Sequence, residues 1–303
     1  MKPSESFEFN RREFLATTVG AATAAAAAFS APSVTRGAGE KSSGAPSGNL
    51  IDTNVYLGRW PFRRLPLDET ALLVAKLRDQ DVAQAWAGTF DALLHKDITS
   101  ANARLAGECA KSGGLLVPIG ALDPMQPDWE EDLRRCVDEH RMPGIRLHPN
   151  YHGYMLSDPV FERILKLADE RGLLVQIAVI MEDERTIHPL VNVPPTDPAP
   201  LPALAQKFPR VRLELLNAFR TLRGKPLLEL AAAGVRFEIA MLEGVNGVAN
   251  LLAQVAPDRV LFGSYAPFFY FESARLKLKE SALPPGQMSG VSEGNARQFL
   301  AAR

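Results

Sequence analysis

From Asn49 onward the chain alternates short runs of β-branched and aliphatic residues with stretches in which apolar side chains recur every three or four positions. The apolar runs are LIDTNVYLG from Leu50, VAQAWAGTF from Val82, LLVPIGALD from Leu115, GIRLHPN from Gly144, LLVQIAVIM from Leu173, VRLELLNAF from Val211, VRFEIAML from Val235 and RVLFGSYAPF from Arg259. Between them lie amphipathic helix patterns. Phe161, Ile164, Leu165 and Ala168, for example, share one stripe opposite Glu162, Arg163, Lys166 and Asp169. Strand starts recur about every thirty residues, the size of one β/α unit, and about 250 residues is the usual length of an eightfold barrel. The spacing predicts an α/β fold, a single (β/α)8 TIM barrel over residues 49–303. A doubly wound open sheet would place a Gly-rich phosphate loop after the first strand, where only Gly58 stands.

The first 39 residues have a different character. A polar start leads to Asn10–Ala16 (NRREFLA), then to an Ala- and Thr-rich stretch and to small residues around Pro32 and Arg36. That order is a signal peptide's, and Arg11 and Arg12 followed by Phe14 and Leu15 resemble a twin-arginine export signal. A membrane span needs about twenty strongly apolar residues, more than this Ala-rich core supplies. Residues 1–39 are therefore expected to be a twin-arginine-type signal peptide and 40–48 a flexible Gly/Ser linker. The export machinery of that route becomes a partner, and the mature protein is expected in the periplasm or outside the cell.

Charge narrows the partners further. The formal net charge is −1, and without residues 1–39 it is −2, from 30 basic and 32 acidic residues. Nucleic-acid binding draws on a basic excess that is missing here. The two cysteines, Cys109 and Cys136, make neither a disulfide framework nor a multi-thiolate metal site. A small-molecule substrate remains, with a homo-oligomer open.

In such a barrel chemistry sits at the carboxyl ends of the strands, and here those ends are polar. The first strand carries Asp52, Asn54 and Tyr56, alternating onto one face. The fourth ends in Arg146 and His148 and runs on to Asn150, Tyr151 and His152. Asn217 ends the sixth, Glu238 lies on the seventh, and Ser264 and Tyr265 end the eighth.

These segments resemble the amidohydrolase-related family of metal-dependent hydrolases and decarboxylases. IDTNVYLG stands against a first-strand I-D-x-H-x-H, and GIRLHPNYHGYMLSDPVF against a G-hydrophobic-K/R-L-H-P segment. RGLLVQIAV and FPRVRLELLNAF stand where the fifth and sixth strands end in His, DRVLFGSYAPF where the eighth reads G-S/T-D-x-P, and EGNARQFL resembles the closing helix. The resemblance implies metal ligands at positions held here by Asn54, Tyr56, Ala178, Asn217 and Tyr265, none of them a strong ligand for zinc. It thus implies the family's barrel, and no cofactor is expected. The alternative is a divalent metal at His148, His152 and His188, which lie after adjacent strands.

Without a metal, hydrolysis needs a base titrating near neutrality and a positive group to hold developing charge. His148 is the candidate base, with Asp52 as its partner or a second base. Asn54, Tyr56, Arg59, Arg146, Asn217 and Tyr265 are the candidate substrate-binding residues, with Arg146 and the first-loop arginines gripping an anionic group. The resulting expectation is an exported hydrolase, lactonase- or decarboxylase-like, acting on a small polar or carboxylated substrate. The alternative is a catalytically inactive barrel that holds a small polar ligand. The long loop 182–200 is expected to serve as a lid or an oligomer contact.

Overall fold

The computed structural model describes residues 49–183, 185–188, 191 and 193–302; the signal-peptide and linker expectations fall on residues outside these. The strands are β1 (Leu50–Leu57), β2 (Val82–Thr89), β3 (Leu116–Pro118), β4 (Gly120–Ala121), β5 (Gly144–Leu147), β6 (Leu174–Ala178), β7 (Arg212–Leu216), β8 (Arg236–Glu238) and β9 (Val260–Leu261). Every pair is parallel, in the orders β1-β2-β3 and β4-β5-β6-β7-β8-β9. β3 and β4 are two pieces of the third strand of the sequence pattern. They are interrupted beyond Pro118, which has no N–H to donate, while Ile119 still bonds the Ala87 carbonyl at 2.8 Å. The ring closes between β1 and the end of the last strand, where Thr53 N donates to Phe262 O at 2.9 Å, Tyr265 N to Asn54 O at 2.8 Å and Tyr56 N to Ala266 O at 2.9 Å. Eight strand positions thus make one closed parallel ring, as the spacing predicts.

The helices cover the ring through the apolar stripes read from the sequence. Phe161, Ile164, Leu165 and Ala168 are all buried on the helix Pro159–Arg171. That helix starts on Pro159, whose missing N–H costs nothing in the first turn, and stops at Gly172 in the left-handed region (φ 61°).

The first strand departs from simple alternation. Asp52 pairs with Ala85 and Val55 with Ala87, so Thr53 and Asn54 together oppose the single residue Trp86. This is a β-bulge, which inserts one residue, bends the strand and re-aims the side chains on it. As a result Thr53 and Asn54 both reach carboxyl groups inside the ring, Glu214 and Glu238 respectively. Asp52 turns instead toward Ser264, whose N–H bonds it at 3.0 Å.

One layer of the interior is polar. Arg146 on β5, Gln176 on β6 and Glu214 on β7 are successive register partners. Arg146 Nε donates to Gln176 Oε1 at 2.8 Å, and Gln176 Nε2 donates to Glu214 Oε2 at 2.7 Å and to Thr53 O at 2.8 Å. The Arg146 guanidinium also donates to the carbonyls of Val55 (2.8 Å), Trp86 (3.0 Å) and Thr53 (3.2 Å), all beside the bulge. Gly88 leaves room for it, since a Cβ there would lie 2.8 Å from both Cδ and Nη1 of Arg146.

Burial pushes the Glu214 carboxyl up from 4.5 to about 8, against the opposing pull of its bonds from Gln176 and Thr53. Between those values the folded chain holds a proton that the unfolded chain has released, so stability falls as pH rises through this window, by up to about 1.4 kcal/mol per pH unit for one proton. Glu214→Gln removes that proton. Urea unfolding at pH 5, 6.5 and 8 is expected to show wild type losing stability toward pH 8 relative to the variant. Parallel losses in the two proteins would show that Glu214 is already ionised in the fold.

Candidate active site

At the carboxyl ends of the strands the bulge and the layer beneath it set the position of Tyr56. Its ring is held between Phe90, stacked at 4.7 Å, and the Arg146 guanidinium, 4.5 Å from the ring centroid. So held, its hydroxyl lies 2.9 Å from His148 Nε2. The phenol is pushed up to about 12 by burial, which outweighs the pull of Arg146. His148 moves the other way, well below its ordinary 6.5, because burial, then His152 and Arg146, disfavour the imidazolium. The pair is therefore a neutral imidazole against a neutral phenol, a base that stays available at neutral and mildly acidic pH.

Asn54, Asn217 and Glu238 form a second knot beside this pair. Asn54 Nδ2 donates to Asn217 Oδ1 at 3.0 Å and to Glu238 Oε1 at 3.2 Å, Asn217 N donates to the same oxygen at 2.6 Å, and Asn217 Nδ2 donates to Ile180 O at 2.9 Å. Gly263 makes space for the carboxylate, since a Cβ there would fall 2.5 Å from Glu238 Oε2. Asn217 and Tyr265 both take left-handed backbone angles, φ 57° and 58°, which Asn adopts readily and Tyr only at a cost. That turn aims the Tyr265 hydroxyl at Met181 O, 2.5 Å away, with its ring stacked on Phe268 at 4.9 Å and edge-on to Tyr56 at 5.6 Å. The thioether of Met181 lies against both phenols, at 3.6 and 3.7 Å.

The structure thus gathers Asn54, Tyr56, His148, Asn217 and Tyr265, and corrects three expectations. Arg146 lies beneath this group and faces inward, 1 % exposed, with four hydrogen bonds to Gln176 and three carbonyls rather than donors turned outward to a substrate. Asp52 does not partner His148. Its oxygens accept from Asn54 N and from both the N–H and the hydroxyl of Ser264, and burial raises it to about 7. Arg59 lies out on the surface, its side chain 62 % exposed and paired with Glu69 at 2.8 Å.

Sequence reasoning missed Gln176, Glu214 and Met181. The signal for the first two was a polar residue in mid-strand with an apolar neighbour on each side, Val175 and Ile177 for Gln176, Leu213 and Leu215 for Glu214. It also undervalued Arg63, which is ion-paired with Glu182 and lies 4.8 Å over the Phe268 ring. The carboxylate of Glu182 is fully buried where the long loop begins, while Arg63 remains 41 % exposed. Trp60 and Phe62 pack inward, edge to face, with Trp60 also against Phe90 and Phe268.

The positions where the resemblance implies metal ligands do not fit a divalent ion. Ala178 has no donor, Asn217 Oδ1 is taken by Asn54, and Tyr56 and Tyr265 are phenols whose protons burial holds on. One neutral amide oxygen, Asn54 Oδ1, is left without a partner. The alternative trio is not assembled either. Among the described residues no group of three His, Cys, Asp or Glu side chains could hold a metal ion, and His188 stacks on Phe62 at 6.2 Å.

Solved structures share this architecture. The 2,6-dihydroxybenzoate decarboxylase from Rhizobium is 15 % identical, with TM-score 0.61, over 82 % of this chain and 98 % of that one. A variant of the 5-carboxyvanillate decarboxylase from Novosphingobium aromaticivorans, solved with manganese and 3-methoxy-4-hydroxy-5-nitrobenzoic acid, is 15 % identical, with TM-score 0.66, over 84 % and 97 %. An uncharacterised TIM-barrel protein from Bordetella bronchiseptica is 13 % identical, with TM-score 0.64, over 84 % and 99 %. No curated protein matches the chain. The family described as amidohydrolase matches residues 61–301. The neighbours share the barrel, and with the family match over most of its length the chain belongs to the amidohydrolase family of hydrolase-type enzymes.

Proposed function

We propose that the protein is a hydrolase or decarboxylase of a small, planar, carboxylated substrate, and that the Tyr56–His148 pair rather than a metal ion moves the proton. The observation that carries this is the 2.9 Å contact between the Tyr56 hydroxyl and His148 Nε2 at the carboxyl end of the ring. The phenol can hand its proton to the neutral imidazole as it takes one from water attacking an ester or lactone, or the pair, after taking up a proton from solvent, can deliver it to the carbon from which carbon dioxide leaves. Phe90, Tyr265 and Phe268 pack against Tyr56 and one another as an aromatic surround, which suits a planar aromatic substrate. The carboxylated substrates named for the structural neighbours support the same class. Arg63, at the rim and above Phe268, replaces Arg146 as the group that meets the carboxylate. Tyr56, His148 and Tyr265 are almost fully buried, so entry requires the aromatic cover to part.

We further propose that the chain is exported by the twin-arginine route to the periplasm or the medium, supported by the order of Arg11, Arg12, Phe14 and the Ala-rich stretch after them. Replacing both arginines with Lys is expected to leave the precursor in the cytoplasm on fractionation. Unchanged delivery would remove that route.

A panel of hydroxylated benzoates, aryl esters and lactones, assayed for carbon dioxide or acid release with EDTA present, is expected to yield a substrate. On it His148→Ala should lose about a hundredfold to ten-thousandfold in kcat. Because the His148 pKa lies below 6.5, kcat/KM should hold level from pH 8 down past 6.5. Turnover that survives His148→Ala would contradict the proposal. If no compound turns over but some bind, a ligand-holding barrel is favoured instead.

A further inference from the structure

Two imidazoles in the mouth of the ring each keep one buried nitrogen without a partner, Nδ1 of His148 and Nδ1 of His152. A single helical turn, Pro149–His152, folds the second histidine back over the first, with the His152 N–H donating to the His148 carbonyl at 3.0 Å. The rings lie 6.0 Å apart and nearly perpendicular, at 78°.

Chemistry fixes what each orphan nitrogen needs. His152 Nε2 lies 2.9 Å from the carbonyl oxygen of Ala92, which can only accept, so Nε2 carries the hydrogen and Nδ1 of the neutral ring is a lone pair. His148 Nε2 meets the Tyr56 hydroxyl at 2.9 Å; with the phenol, the more acidic partner, as the donor, the ring's own hydrogen sits on Nδ1. One nitrogen therefore seeks a donor and the other an acceptor. A hydroxyl is both, and one oxygen bonded at about 2.9 Å to two nitrogens bridges atoms up to about 5.8 Å apart, a reach that suits neighbouring rings whose centroids lie 6.0 Å apart.

We propose that His148 and His152 together seat one hydroxyl oxygen, which accepts from Nδ1–H of His148 and donates to Nδ1 of His152. The group is a substrate hydroxyl or, in its absence, a water, and its role in the reaction rests on the Tyr56–His148 pair being the proton carrier. His152 is then a positioning residue. It fixes which nitrogen of His148 is protonated and selects a neutral hydroxyl over a carboxylate oxygen, which would meet its lone pair with another.

Long-range 1H–15N spectra of protein labelled on histidine read both tautomers directly. Nε2–H on His152 and Nδ1–H on His148 are expected. His152→Phe keeps a ring but removes the acceptor, and should let the His148 Nδ1 proton exchange roughly tenfold faster, the scale of one net hydrogen bond. Crystals of the wild-type protein, with and without phenol, provide the second arm. Without phenol a water oxygen is expected within hydrogen-bond distance of both Nδ1 atoms, and with phenol the ring's own hydroxyl should replace it. Nδ1–H on His152, or no oxygen between the rings, overturns the seat. A water that saturating phenol leaves in place overturns the substrate role. If tautomers and phenol seat are found while His148→Ala turns over normally, the proton-carrier proposal fails and the seat stands as a binding site.

Discussion

The arrangement depends on one buried cation. The Arg146 guanidinium lies inside a closed ring of strands, 1 % exposed, where an unpaired charge would cost several kcal/mol. It is tolerated because its donors meet Gln176 and the carbonyls of Thr53, Val55 and Trp86, while its face lies against Tyr56. Each of those partners imposes a local demand. The carbonyls call for the bulge at Thr53 and Asn54, the guanidinium needs a glycine at position 88, and Gln176 must stay in register with Glu214. Truncating Arg146 would strand several buried acceptors at once, and a lost partner of that kind is more destabilising than a lost contact. The mouth inherits its geometry from this brace, since Tyr56 reaches His148 only because Arg146 and Phe90 grip its ring.

Around that cation burial drives other interior groups toward their neutral forms. Asp52 rises to about 7, Glu214 to about 8 and Tyr56 to about 12, Glu238 rises as well, and His148 falls, each chiefly by desolvation. A divalent ion requires anionic or strongly basic ligands, so an interior biased toward neutrality and occupied by phenols, amides and a thioether is ill suited to one. It is better suited to moving protons between neutral groups.

The strands and the ring were legible because periodicity at the β/α spacing is set by burial, and burial is written directly in the apolar runs. The residues that gather at the mouth, Asn54, Tyr56, His148, Asn217 and Tyr265, were legible for a related reason, since strand ends open onto one face. Arg146 was not. Alternation tells which face a side chain takes but not whether a long one points outward to a ligand or folds back onto carbonyls. Asp52 was misplaced because strict alternation ignores the bulge, whose extra residue turned it toward Ser264. Gln176 and Glu214 stood in view as polar residues between apolar neighbours, and only the register across β5, β6 and β7 joined them to Arg146.

Manganese titration by calorimetry, paired with thermal unfolding before and after EDTA, tests most directly the claim that the residues inside this barrel do not hold a divalent metal. No saturable binding and an unchanged melting temperature after chelation are predicted. One manganese bound per chain, with a melting temperature that falls when EDTA removes it, would contradict the account.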